Sequence, residues 1–175
     1  MSISYKRWQN YFLFCLGLFA GTAFCMKWME GDFWQGGQQF TIIGLEITDP
    51  KEKVVAILAG LDRPVKMILR YHLYFDFAFM AAVYPGIAAL CMMARDKSGS
   101  SLVRKLLFIL AILQTLACGC DIAENIYLLR WISNPVIGDE FGLYHLVVYT
   151  KWIIALSAAL IAIPFAIRKR KRAMA

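Results

Sequence analysis

The sequence predicts an all-α membrane protein: a four-transmembrane-helix up-down bundle with an extracytoplasmic loop that contains a short amphipathic helix. Two observations lead to this class. First, 60% of the 175 residues are apolar, whereas soluble domains have about 45–50%. Second, the apolar residues are collected into four runs, and each is long enough to cross a bilayer, which takes about 20 residues per helix. The whole chain, residues 1–175, is therefore treated as a single transmembrane domain.

The limits of the four spans follow from the charged and turn-forming residues that interrupt the apolar runs. The second and third runs are longer than a bilayer requires, so their ends should reach the interface or the helices should tilt. The predicted spans cover residues 11–28, 65–94, 102–132 and 143–167.

The first span has two features that bear on its role. Lys6 and Arg7 precede the apolar run, so the segment fits either a retained helix or a cleaved signal peptide. Gly17 and Gly21, extended by Cys25, form a small-residue pattern that favours the close approach of another helix.

The distribution of charge predicts the orientation. Basic residues crowd the N-terminus, the loop between the second and third spans, and the C-terminus, and Asp96 is the only acid among them. Because basic loops stay on the cytoplasmic side, both termini are expected in the cytoplasm, with the protein in the cell (inner) membrane.

The basic run at 168–172 suits anionic lipid headgroups or acts only as a topology anchor. The net charge of +7 is split among short segments, so lipids are expected partners and nucleic acid is not.

Residues 30–64 form the one sizeable loop outside the predicted spans. Gly31, Gly36 and Gly37 break the chain after the first helix. The apolar, β-branched run at 40–47 then predicts a short strand or an extended stretch lying along the bilayer.

The second half of this loop carries helix signals. Thr48, Asp49 and Pro50 are typical of a helix start, and Gly60 of a helix end, so residues 51–59 should be helical. The apolar face of this helix would rest on the membrane or cap the bundle. The segment is accordingly either a connector or a lid over a cavity. The apolar face consists of Val54, Val55, Leu58 and Leu61.

Polar residues inside the predicted spans are the strongest functional signal, because each ionisable group costs roughly 2.5–3.5 kcal/mol at the centre of a span. At 1.5 Å per residue, the polar groups of three different spans fall about 10–17 Å below the outer ends of their helices. They are therefore expected to meet at one level in the outer half of the bundle. The candidate ligand-binding residues are Asp76, Asp121, Glu124, Asn125, Lys151, His72 and Tyr84.

The spacing of these residues predicts their facing. Asp121, Glu124 and Asn125 are spaced i, i+3, i+4, on one face of the third span. Lys151 should pair with Asp76, Asp121 or Glu124, and the surplus negative charge remains to be balanced. Three means are open: Arg70 or Arg130 nearby, a protonated carboxyl, or a bound cation.

Three functions stay open. In the first, the predicted polar residues bind a small molecule, lipid or ion. In the second, they only fix helix packing in a structural or accessory subunit, and an oligomer or a partner subunit is possible. In the third, they serve an intramembrane enzyme that acts on a lipid. The sequence contains no HExxH, no nucleophile–base signature and no metal or redox spacing among its five cysteines. No cofactor, no metal and no catalytic residue are therefore assigned.

Several short elements together resemble a set of uncharacterised bacterial four-helix integral membrane proteins with an Asp-x-x-Glu-Asn element in the third helix. The resemblance covers about residues 40–160 and implies a fold and a shared polar cluster, without an activity. The four-helix sterol isomerases and sigma-2 receptors agree only in helix number and size. The elements are the loop at 40–59, Asp76-Phe77-Ala78-Phe79 with Tyr84, Asp121-Ile122-Ala123-Glu124-Asn125, and Lys151.

Overall fold

The computed structural model describes residues 3–168, and most of this part of the chain is helical. A two-stranded hairpin, β1 (Trp34–Gln35) and β2 (Gln38–Gln39), lies between the first two α-helices. The basic run that the sequence places after the last helix falls largely outside the described residues. In chain order the α-helices are α1 (Ile3–Met29), α2 (Ile42–Glu46), α3 (Lys51–Ala59), α4 (Arg63–Lys97), α5 (Ser101–Ser133) and α6 (Phe141–Ile167).

Four of these helices, α1, α4, α5 and α6, are long and apolar enough to cross a membrane. Their limits agree with the four predicted spans to within three residues, except that α1 begins eight residues earlier. Helices α4 and α5 begin one or two residues before the predicted spans, at residues that favour a helix start. Proline lies in the first turn of α4, and the Ser100 hydroxyl caps α5 by accepting a hydrogen bond from the Val103 amide.

Helix α4 is the centre of the bundle, since it packs against α1, α5 and α6, while α5 also packs against α6. Where α1 crosses α4, Gly86 allows close approach, because a Cβ there would lie 3.2 Å from the Cys15 Cβ. The predicted small-residue face of α1 is not used in this contact. A Cβ added at Gly17 or Gly21 would meet nothing within 4 Å in the described structure, and Cys25 is exposed.

The segment at 40–47 is not the strand or extended stretch that its composition predicts. It folds as α2, which begins where the Thr41 hydroxyl accepts a hydrogen bond from the Gly44 amide at 3.0 Å. The strands lie just before it, joined through Gly36 and Gly37, whose φ values of 56° and 77° suit a tight hairpin turn. A side-chain cap and two glycines therefore override the β-branched composition.

Helix α3 forms as predicted and caps one end of the bundle. Val54 and Leu58 are completely buried, and Leu61 is 5% exposed. They join a core with Trp131 and Tyr144, the aromatic residues of α5 and α6 at that end. Burying a valine or leucine side chain contributes about 1.5–3 kcal/mol, so the segment at 30–62 is an integral part of the fold. We call residues 30–62 the capping segment, and the end of the bundle that they cover the capped end.

Candidate functional site

The site is centred on the ammonium group of Lys151 in α6. Its Nζ lies 2.7 Å from Asp121 Oδ1, 2.6 Å from Glu124 Oε2 and 3.4 Å from Glu46 Oε2. The lysine is 5% exposed, and each of the three acids is similarly buried. The ammonium group therefore forms close ion pairs with three carboxylates, which come from two different helices other than its own. Of the three predicted partners, two contact Lys151 and Asp76 does not.

Two of these acids reach Lys151 because of their spacing on α5. Asp121 and Glu124 are three residues apart, so they lie on the same helix face, and that face packs against α6. The sequence predicts this convergence correctly.

Glu46 is the residue that sequence reasoning missed. It belongs to the segment at 30–64 that the sequence places outside the spans, whereas the structure buries it at the end of α2. The reason is local: Ile42 and Leu45 are buried on the same short helix, and a residue four positions after Ile42 shares its face. That periodicity is the signal that would have identified Glu46.

A second set of hydrogen bonds surrounds the ion pairs. Asn125 Nδ2 donates to Asp76 Oδ2 at 2.7 Å and to the Leu73 carbonyl at 3.3 Å, which joins α5 to α4. The Tyr84 hydroxyl donates to Asp121 Oδ2 at 2.7 Å. Asp121 is thus held by both Lys151 and Tyr84. We call Glu46, Asp76, Tyr84, Asp121, Glu124, Asn125 and Lys151 the polar cluster.

Not every predicted residue joins this cluster. His72 is buried, but its ring packs 5.3 Å from the Phe33 ring, and its Nδ1 has no hydrogen-bond partner in the described structure. Arg70 donates to the Ser133 hydroxyl at 2.9 Å, at the exposed surface. Arg130 is also exposed. Neither arginine forms an ion pair with the cluster acids in the part of the chain that the structure describes.

The cluster therefore contains more acidic than basic side chains. It holds four acids and one lysine, one acid more than the sequence predicts, because Glu46 is added. Burial raises the pKa of Glu46, and the charge of Lys151 opposes that rise only in part. The carboxyl group of Glu46 consequently keeps its proton to a higher pH than an exposed glutamate does.

A cavity of about 360 Å³ adjoins the cluster. Its polar lining consists of Glu46, Asp76, Tyr84, Asp121 and Lys151, and the rest of the lining is mainly apolar. It occupies the gap between α1 and α6, both of which pack against α4. Ile43 and Leu156 on its rim are about half exposed, at 48% and 53%. The apolar lining includes Phe19 and Met26 of α1, Val83 and Ile87 of α4, and Ala155, Leu156 and Ala159 of α6.

The capping segment is fastened beside the cluster by His145 of α6. Its Nε2 lies 3.1 Å from the Thr48 carbonyl oxygen, and its Nδ1 lies 3.5 Å from Asp49 Oδ1. Thr48 in turn donates from its hydroxyl to the Gly44 carbonyl in α2. These contacts connect α6 to the turn that follows Glu46, and so they hold Glu46 in place above Lys151.

Among residues 3–168, no group of three or more His, Cys, Asp and Glu side chains is placed to hold a metal ion. Comparison of the chain with known protein families, curated proteins and solved structures finds no match to any of them. The geometry of the cluster and its cavity is therefore the basis for a functional proposal.

Proposed function

We propose that this protein is a multi-pass membrane protein that binds an amphiphilic small molecule or lipid. The polar part of the ligand would contact the polar cluster, and its apolar part would occupy the cavity between α1 and α6. The observation that carries the proposal is the composition of this cavity, with charged groups at one end and apolar walls elsewhere.

In the proposed topology, four spans cross the cell (inner) membrane in alternating directions, and both termini lie in the cytoplasm. Contacts between α1 and α4 support the alternating directions. Phe19 meets Phe79, and Tyr5 meets Lys97, so α1 and α4 run in opposite directions. The basic residues Arg95, Arg104 and Lys105 lie at the end of the bundle remote from the capped end, as expected for a cytoplasmic side.

This topology places the cavity entrance against lipid. If α1 and α6 both cross the membrane, the gap between them faces hydrocarbon, and Ile43 and Leu156 border it. Ligand cavities of about 300–1,000 Å³ with mostly apolar walls and a few polar groups are usual for small molecules. Because a polar group in hydrocarbon is costly, the buried acids and lysine would attract the polar part of a lipid-soluble ligand.

The alternative is a structural or accessory subunit whose cluster only fixes helix packing. The ion pairs of Lys151 and the bonds of Asn125 do join α2, α4, α5 and α6, so the cluster contributes to packing in either case. A pure packing device has no need of a cavity beside it, however, since interiors are normally filled. We therefore favour ligand binding, with packing as a second role of the same residues.

The proposal is tested by filling the cavity away from its polar end. Ala159 lies eight residues beyond Lys151, about 12 Å along α6, so Ala159→Phe fills the apolar part without touching the acids. Leu160→Phe, on the 69% exposed neighbouring residue, is the matched control. Each protein would be purified in mild detergent and examined for retained amphiphiles by native mass spectrometry.

We expect an amphiphile bound to the wild type and to Leu160→Phe, and none bound to Ala159→Phe. Equal occupancy in all three proteins, or no ligand in the wild type even after incubation with membrane lipid extract, would refute the proposal. Val83→Phe fills the cavity from α4, and it serves as a second blocking variant if Ala159→Phe does not fold.

A further inference from the structure

We infer that the amphiphile bound in this cavity carries a protonated amine, and that Asp76 is the principal anion that receives it. The inference rests on the proposed function, which it deepens by naming the charge of the ligand. It depends on three observations: Lys151 is already paired with acids, Asp76 on the cavity wall has no cationic partner among residues 3–168, and the rest of the wall is mostly apolar.

The pairing of Lys151 argues against an anionic ligand. Lys151 is the only cationic side chain that lines the cavity, among the residues that the structure describes. Its ammonium group already contacts Asp121, Glu124 and Glu46, at 2.6–3.4 Å. A carboxylate or phosphate ligand would have to displace one of these acids and would also face the remaining negative charge. An anion is therefore the least suitable occupant.

Asp76 favours a cation. It lines the cavity and is 8% exposed, so one side of its carboxylate remains reachable. Its Oδ2 accepts from the Asn125 amide, which fixes the carboxylate without neutralising it. No ion pair reaches Asp76 from residues 3–168. An ammonium group beside it would form a charge-assisted hydrogen bond in a site sheltered from water.

Glu46 lies on the same wall of the cavity as Asp76. Its Oε2 is buried and lies 3.4 Å from the Lys151 Nζ, so this carboxyl group is already directed at the lysine. An ammonium group bound to Asp76 would have Glu46 as an additional polar neighbour. Because Asp76 is on α4 and Glu46 on α2, the amine would also connect the capping segment to the bundle.

The remainder of the wall suits an alkyl or ring-containing tail. Beyond the carboxylates it is apolar as far as Ile87 and Ala159, and Ala159 lies about 12 Å along α6 from Lys151. A ligand with one cationic end and an apolar body therefore matches the cavity in both parts.

The experiment compares three twelve-carbon ligands with different polar groups: dodecylamine, dodecanol and dodecanoate. Wild type, Asp76→Asn, Asp76→Glu and Ala159→Phe are placed in nanodiscs of uncharged lipid at pH 7. Ligand affinity is obtained from the concentration dependence of thermal stabilisation. Stabilisation that persists in Ala159→Phe is subtracted, because it arises from effects on the lipid rather than from the cavity.

For the wild type we expect dodecylamine to bind at least about tenfold more tightly than dodecanol, and dodecanoate to bind most weakly. Asp76→Asn should weaken dodecylamine binding by about tenfold or more and leave dodecanol unchanged, while Asp76→Glu restores the preference for the amine. The asparagine is nearly isosteric with aspartate, so the cavity keeps its shape.

Each other outcome has a distinct meaning. If dodecanol or dodecanoate binds as tightly as dodecylamine, or if Asp76→Asn keeps the preference for the amine, the inference is wrong and the proposed function stands. If no ligand shows binding that depends on Ala159, then the inference and the proposed function both fail.

Discussion

Replacing Lys151 by methionine tests whether the polar cluster is buried and paired as described. At an effective dielectric constant of about 20, opposite charges separated by 2.6–3.4 Å attract by about 5–6 kcal/mol. Desolvation of the ions and repulsion between the acids offset much of this attraction. Removing one partner of a buried ion pair nevertheless costs about 3–5 kcal/mol, because it leaves an uncompensated charge. We expect Lys151→Met to lower the free energy of unfolding by that amount.

The measurement is unfolding in mixed micelles with increasing sodium dodecyl sulfate, at neutral pH. Lys27→Met is the control, because Lys27 makes an ion pair of similar length, 2.6 Å to Glu30, with a lysine side chain that is 75% exposed and a glutamate side chain that is 9% exposed. Its loss should cost less than that of Lys151, because water reaches the lysine and Glu30 keeps the hydrogen bond that its Oε1 accepts from the Ile42 amide at 3.1 Å. A Lys151→Met protein with wild-type stability would show that the lysine extends to the surface instead.

A double variant separates charge from packing. If the cost of Lys151→Met comes from unpaired acids, then adding Glu124→Gln removes one of them and should recover part of the lost stability. If the cost comes only from side-chain packing, the second substitution would destabilise the protein further. The sign of the interaction energy therefore distinguishes the two causes.

Three further predictions concern single contacts. Tyr84→Phe removes the hydroxyl that donates to Asp121, and should lower the free energy of unfolding by about 1.5–3 kcal/mol in the same assay; an unchanged value would mean that this bond is absent. Burial raises the pKa of Glu46, so the folded state binds its proton more tightly than the unfolded state, and stability should fall as the pH rises above the ordinary carboxyl range. Glu46→Gln should flatten that decline, whereas an unaltered slope would assign the titration to another group. His145→Ala removes the contact with the Thr48 carbonyl and should speed hydrogen exchange in the capping segment but not in the middle of the long helices; uniform exchange throughout would contradict the fastening role of His145.

The long helices and much of the cluster can be predicted from sequence because both follow from periodic rules. Apolar runs define the four helices, and the i, i+3 spacing of Asp121 and Glu124 places them on one face. Lys151 meets them because its distance from its helix end matches theirs. These relations need only helix geometry, and the structure shows the expected contacts.

The contribution of the loop is harder to predict, because it depends on tertiary packing. The sequence places Glu46 in a loop outside the spans. The structure buries it because the segment folds as the helix α2, although its β-branched composition favours a strand. His72 lies on the expected helix but packs against Phe33, a residue of the capping segment whose position sequence spacing does not determine. The cavity arises from the gap between α1 and α6, which no local pattern encodes.

Occupancy of the cavity between α1 and α6 can be measured by photo-crosslinking in lipid nanodiscs. The probe is a long-chain amphiphile that carries a diazirine in its tail, and the labelled sites are located by peptide mapping. We predict that the label concentrates on the cavity walls, at Phe19, Met26, Val83 and Leu156, and disappears from them in Ala159→Phe. Label spread evenly over exposed apolar residues such as Leu160, unchanged by that substitution, would show that the gap between α1 and α6 admits no ligand.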